Sequence, residues 1–207
     1  MLAAFGLAFP AILFIVDPIG VVPLFVAMTA KDSPEKCRGM ALRASLVAGG
    51  VLCFFALFGT IVFQVFGVTL AAFRVAGGLL LMLTALDMLR AQHPGTKTSV
   101  AETEEGSAQE DIAIVPLAMP LLAGPGAIAT VMVLMAQNGP GFQSAVPVIA
   151  SIVITMFLAY LTLRSAHLVK RVLKQTGIAI LERIFGLILA AIAVQFVFEG
   201  GRELLKG

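Results

Sequence analysis

Charge is scarce in this sequence. Asp, Glu, Lys and Arg make up 13% of its 207 residues, against about 25% in a soluble domain. A soluble chain of this length would have a core to bury and too few polar residues to cover it. There are two cysteines, Cys37 and Cys53, sixteen positions apart. They have neither metal-ligand spacing nor the pattern of a disulfide framework. His93 and His167 are isolated near loops or helix ends and form no metal pair. No phosphate-binding Gly-rich loop, His-Glu-x-x-His pair, Ser/His/Asp set or dinucleotide fingerprint occurs. The reading is therefore no enzyme, no cofactor and no nucleotide-driven pump. A net charge of +2 without a basic aromatic groove gives no reason to expect nucleic acid. The opening Met1-Leu2-Ala3-Ala4 lacks the basic stretch of a secretory signal, so the first apolar segment is expected to be a retained helix.

What the chain does have is apolar length. Hydrophobic residues make up 59% of it, and the mean hydropathy is +1.02. A spanning helix needs about 20 mostly apolar residues. Such stretches lie at 3–30, 39–64, 70–89, 112–136, 145–163 and 178–198. They are too long and continuous for barrel strands, and in lipid only helices and closed barrels satisfy the backbone. The expected fold class is an all-α membrane protein of six transmembrane helices in a lipid bilayer.

Basic residues set the expected orientation. Lys31, Lys36, Arg38 and Arg43 flank the first connection, Arg90 and Lys97 the third, and Arg164, Lys170, Arg171, Lys174 and Arg183 the fifth. The second and fourth connections are nearly bare. Lys and Arg in short loops mark the cytoplasmic side, so both termini are predicted outside. The third connection, 91–111, is polar and punctuated by Pro94 and Gly95, with Glu102, Glu104, Glu105, Glu110 and Asp111. It cannot bury enough apolar area to offset chain entropy. It reads as a flexible linker between a first half, 1–90, and a second half, 112–207.

The halves resemble each other. Pro18 and Pro125 are 107 positions apart, and Arg74 and Arg183 are 109 apart, each arginine followed by a glycine three residues later. Three helices is an odd number, so a second copy enters the membrane from the opposite face. That predicts an inverted repeat, an architecture of many secondary transporters, whose sites lie near the midplane at matching broken helices.

Here the matching segments are broken. Helix one carries Asp17-Pro18-Ile19-Gly20, with Pro10 and Pro23 nearby. Helix four carries Gly124-Pro125-Gly126, with Pro116 and Pro120 before it. Proline removes a backbone donor and glycine allows close approach. Broken backbone at depth is tolerated only where protein buries it or a watery cavity receives it. Half-helix amides favour a carboxylate and half-helix carbonyls an ammonium. Two facing breaks would thus suit a small zwitterion.

Asp17 is the sharpest residue, since an intramembrane carboxylate marks a functional site by default. It could bind an amine, a proton or a sodium ion, or cap the broken helix. No second acid lies near it in sequence. Thr130, one turn past the second break, could add a hydroxyl. Gln64 and Gln195 are candidates for interhelical hydrogen bonds, and Glu182 is a candidate partner for Arg183. Ala48-Gly49-Gly50, Gly77-Gly78 and Ala190-Ala191 read as packing surfaces.

Three stretches together resemble a known family. They are Asp17-Pro18-Ile19-Gly20-Val21-Val22-Pro23-Leu24-Phe25, Phe73-Arg74-Val75-Ala76-Gly77-Gly78, and Val115-Pro116-Leu117-Ala118-Met119-Pro120 followed by Ala123-Gly124-Pro125-Gly126-Ala127-Ile128-Ala129. The chain is similar over its whole length to the MarC family of bacterial and archaeal inner-membrane proteins, which includes SnatA-type neutral amino acid transporters. The resemblance implies two inverted three-helix repeats and transport of small neutral amino acids of the glycine, alanine and serine class. It also implies a substrate site around Asp17, Pro18, Gly20, Gly124, Pro125 and Gly126, to which the reading of the residues adds Ile19 and Thr130. Family members carry Asn or Asp at position 17. The expected mechanism is alternating access by rocking of the repeats, coupled to a proton or sodium ion through Asp17. The alternatives are a passive pore, an exporter of other specificity, and a scaffold without transport.

Overall fold

The computed structural model describes residues 2–29, 32–90, 117–118, 121–137 and 142–206. The central loop 91–111 lies outside them, as do Pro116 and Pro120, and nothing is described of the Gln64 side chain. The described residues form seven helices: α1 (Leu2–Val16), α2 (Val22–Met28), α3 (Pro34–Phe66), α4 (Leu70–Leu89), α5 (Pro125–Gln137), α6 (Phe142–Arg164) and α7 (Ala166–Lys206).

Four of these contain stretches long and apolar enough to cross a membrane: Pro34–Gly59, Ala71–Leu89, Ala145–Arg164 and Ala166–Leu205. The first predicted span is instead two helices, α1 and α2, parted at Asp17–Val21. At 1.5 Å per residue α1 alone extends about 22 Å, short of a hydrocarbon layer of about 30 Å. The fourth is likewise divided. Leu117, Ala118, Leu121 and Leu122 wind as a wide π-type helix, in which the Ala123 amide donates to the Ala118 carbonyl at 2.9 Å. The chain then turns at Gly124 and starts again as α5. Single π turns inside helices recur at functional sites.

Lipid-facing chemistry is visible on the outside. Leu7, Val65, Leu187 and Phe198 are each at least 65% exposed, where a soluble protein would place polar groups. The interior is built from small and branched residues, among them Ile12, Val22, Phe25, Leu52, Leu81 and Leu122. Polar groups inside are mostly tied to their own helices. The Thr29 hydroxyl donates to the Phe25 carbonyl at 2.7 Å, and that of Ser151 to the Pro147 carbonyl at 2.6 Å.

The α4–α7 pair forms the longest interface. Gly200 lies against the Ala71 carbonyl and Arg74, Gly78 against the Ala193 carbonyl and Val197, and Gly186 against the Ala85 carbonyl and Met88. Ascending numbers on α4 meet descending numbers on α7, so the two helices run antiparallel. A Cβ at any of the three glycines would come within 3.0 Å of a carbonyl oxygen of the other helix. That is the close approach small residues allow. At one end Arg74 donates to the Glu203 carboxylate at 2.7 Å. Elsewhere α3 packs on α6, and α1 reaches α5, α6 and α7.

One expectation needs correction. The fifth connection, expected as a basic loop before a helix starting at 178, is helical from Ala166 onward. Its apolar residues Leu168, Val169, Val172 and Leu173 keep helical spacing and contain no proline. Lys170 and Arg171 between them lower the hydropathy and hid the helix. The bend falls at Lys174, whose φ of 54° and ψ of −179° interrupt α7. The helix then runs on past 198 to Lys206.

Candidate functional site

The first break is organised by Asp17. Its φ is +47°, the left-handed region, which Asp and Asn enter more readily than other side chains. Its own amide closes α1 by donating to the Leu13 carbonyl at 3.0 Å. Its carboxylate Oδ1 accepts the Gly20 amide at 3.1 Å. The side chain therefore holds the turn Asp17–Gly20 together, while α2 itself begins at Val22 with no side-chain cap. Asp17 is 4% exposed, and Pro18 is buried beside it.

A second acid joins this turn from far along the chain. A Cβ built on Gly20 would strike the Asp17 carboxylate and would lie 3.0 Å from Glu182 Oε1. Gly20 is thus the floor on which two carboxylates from α7 and the α1–α2 turn converge. The sequence offered Asp17 no acidic neighbour, and folding supplies one.

The second break packs against the last turn of α1. Gly124 is buried and its carbonyl accepts the Ile128 amide at 3.0 Å, opening α5. Pro125 stands at the first helical position, where its missing N–H costs nothing. Gly126 lies against Ile15, two residues before Asp17: a Cβ there would sit 3.1 Å from Ile15 Cδ1 and 3.8 Å from the Thr84 hydroxyl. Between these elements is a cavity of about 40 Å³, lined by Ile15, Leu80, Thr84, Leu121 and the turn Gly124–Ala127. By a measure in which one water needs about 10–15 Å³, that is room for a few water-sized groups. A larger apolar cleft of about 350 Å³ adjoins it across Leu80 and Pro125.

Of the residues singled out in the sequence, Gly124, Pro125 and Gly126 line the small cavity. Asp17, Pro18, Ile19 and Gly20 form the turn that follows Ile15 and do not themselves line the cavity. Thr130 is buried, but its hydroxyl donates to the Gly126 carbonyl at 2.8 Å and is committed to its own helix. Thr84 and Glu182 were missed as site residues. Thr84 looks like any hydroxyl in an apolar helix, and its Oγ1 donates to the Leu80 carbonyl at 3.1 Å while lining the cavity. Glu182 read as a candidate partner for Arg183, and nothing in its local sequence points toward residue 20. Gln195 donates to Glu199 at 2.8 Å within its own helix, and the interhelical bond to Glu199 comes from Gln137 at 3.4 Å.

The sequence model described as "MarC family integral membrane protein" matches residues 2–205. A UPF0056 membrane protein of Methanocaldococcus jannaschii is 42% identical over 202 residues, covering 97% of this chain and 97% of the relative. One from Aquifex aeolicus is 39% identical over 199 residues, covering 96% and 92%. The UPF0056 membrane protein YhcE of Escherichia coli is 32% identical over 198 residues, covering 93% and 89%. No solved structure matches the chain.

Proposed function

The chain belongs to the MarC family of integral membrane proteins, and from that premise we propose that it carries small neutral amino acids across the membrane by alternating access. The observation that carries this reading is the approach of the two broken segments, with Ile15, two residues before the first break, against Gly126 of the second and a small cavity between them. The start of α5 offers amide dipole to a carboxylate. The Asp17 carboxylate, with Glu182 beside it, offers negative charge to an ammonium or to a coupling proton or sodium ion. The small cavity and its few polar groups favour a glycine-, alanine- or serine-sized solute over a bulky one. We read 1–90 and 112–207 as inverted repeats, with α1 and α2 matching the segment 117–137, α3 matching α6 and α4 matching α7. We place the protein in the inner (plasma) membrane with both termini outside.

The test is exchange of labelled glycine and alanine by protein in liposomes, with and without a pH gradient. Saturable counterflow in the wild type, lost when Gly126→Leu fills the space against Ile15 without preventing insertion, is the expected result. Normal exchange by that variant would sink the site. The second reading, a passive pore or an exporter of other specificity, predicts linear gradient-driven flux or no flux of either amino acid. A cavity of about 40 Å³ favours the carrier, because an open pore needs continuous width.

A further inference from the structure

Away from the helix breaks, α3 and α6 leave a groove of about 360 Å³ between them, within the 300–1,000 Å³ typical of small-molecule pockets. Gly49 closes one part of it, since a Cβ there would meet Met156 at 3.1 Å. At Gly50 the groove is open: a Cβ there would meet nothing within 4 Å. Cys53 lies deeper along the same helix, and the walls are almost wholly apolar.

One feature breaks the apolar monotony. Ser45 is a lining residue, but its hydroxyl oxygen is itself buried and is not presented to the groove. Tyr160 also lines the groove. Arg164 Nη1 donates to its hydroxyl at 3.2 Å, and the guanidinium carbon lies 5.9 Å from the ring centroid. This arrangement holds a cation at the rim.

The basic ends of α3 and α6 lie on one side of the membrane by the distribution of Lys and Arg. Going inward from that side, the groove presents a guanidinium at its rim, then the Tyr160 hydroxyl, then an apolar slot beside Gly50 and Cys53. A glycerophospholipid has the same order: phosphate, ester oxygens, acyl chain. We propose that this groove is a binding site for one anionic phospholipid of the cytoplasmic leaflet, its phosphate on Arg164 and one acyl chain along Gly50. A second copy of the chain fits less well. A packed helix would bring apolar side chains and leave the rim charge unanswered.

The experiment is native mass spectrometry of delipidated protein titrated with dioleoyl phosphatidylglycerol or dioleoyl phosphatidylcholine. One phosphatidylglycerol should be retained at least tenfold better than phosphatidylcholine. Gly50→Phe, which enters open space, should abolish retention while leaving the melting temperature unchanged. Arg164→Gln should erase the preference for phosphatidylglycerol. In a Cys37→Ser background, phosphatidylglycerol should slow maleimide labelling of Cys53, a readout that does not need the Gly50 variant to fold. Equal retention of both lipids, unaltered retention by Gly50→Phe, or unprotected Cys53 would each overturn the proposal. Conversion of a dimer to a monomer by Gly50→Phe would also overturn it and assign the groove to a second copy.

Discussion

Asp17 does two jobs that substitutions can separate. It holds a left-handed backbone at φ +47° and accepts the Gly20 amide at 3.1 Å. Asn keeps both, because it tolerates that backbone region and its amide oxygen accepts the same bond. Gly keeps the backbone and loses the bond. Ala loses both. A lost partner for a half-buried amide such as that of Gly20 costs up to about 1–3 kcal/mol, and left-handed backbone costs a residue with an ordinary Cβ roughly 1–2 kcal/mol. Asp17→Ala should therefore lose about 2–5 kcal/mol, Asp17→Gly about 1–3 kcal/mol, and Asp17→Asn less than about 1 kcal/mol. For a chain of this size each kcal/mol moves the melting temperature by roughly 2–4 °C. Unfolding in detergent micelles should then rank wild type and Asn together, Gly lower and Ala lowest. Ala melting with Asn would refute the turn-holding role. Asn melting with Ala would show that charge, rather than geometry, keeps the break closed. Once stability is matched, the response of exchange to a pH gradient isolates the ionisable role, which Asn cannot perform.

Gly20→Ala drives a methyl into the Asp17 carboxylate and toward Glu182. Overpacking of that kind costs about 1–3 kcal/mol, and exchange should fall more than stability does; a fully active Gly20→Ala would mean the two acids need not converge. Gly200→Leu, buried against the Ala71 carbonyl, should lower the melting temperature markedly or prevent detergent extraction of folded protein, and wild-type melting would contradict the α4–α7 packing. Glu203→Ala removes an ion pair whose acid is half exposed. Its effect should stay within about 1 kcal/mol and shrink in high salt, as unfolding at two ionic strengths would show. Lys174 sits in a backbone region that strongly favours glycine, so Lys174→Gly should be neutral or stabilising by about 1 kcal/mol in the same unfolding assay.

What was legible in the sequence was local. Pro18, Gly20, Gly124 and Pro125 announce breaks because their own covalent geometry makes them. The apolar runs announce helices because lipid leaves no other choice. What was not legible depends on packing between distant segments. Glu182 meets the turn at Gly20 only because α7 folds back along the bundle, and no local pattern encodes that. The helical start of α7 was hidden because hydropathy averages over a window, and Lys170 and Arg171 dilute the apolar spacing of their neighbours. The π turn before Gly124 leaves no mark at all, since it differs from an ordinary helix by one shifted hydrogen bond. Thr130 lies one turn past the break, and the bond its hydroxyl makes to the Gly126 carbonyl could not be read from that spacing.

The glycine seam between α4 and α7 also limits how the molecule can move. Gly78, Gly186 and Gly200 put backbone against backbone along nearly the whole of α4. Surfaces in that contact neither slide by a fraction of a turn nor part without opening voids. The seam therefore ties 70–89 to the far end of the chain, and any rearrangement that keeps this fold carries the two helices together. The short stubs α1, α2 and α5, which end or begin at the breaks, lie outside that seam.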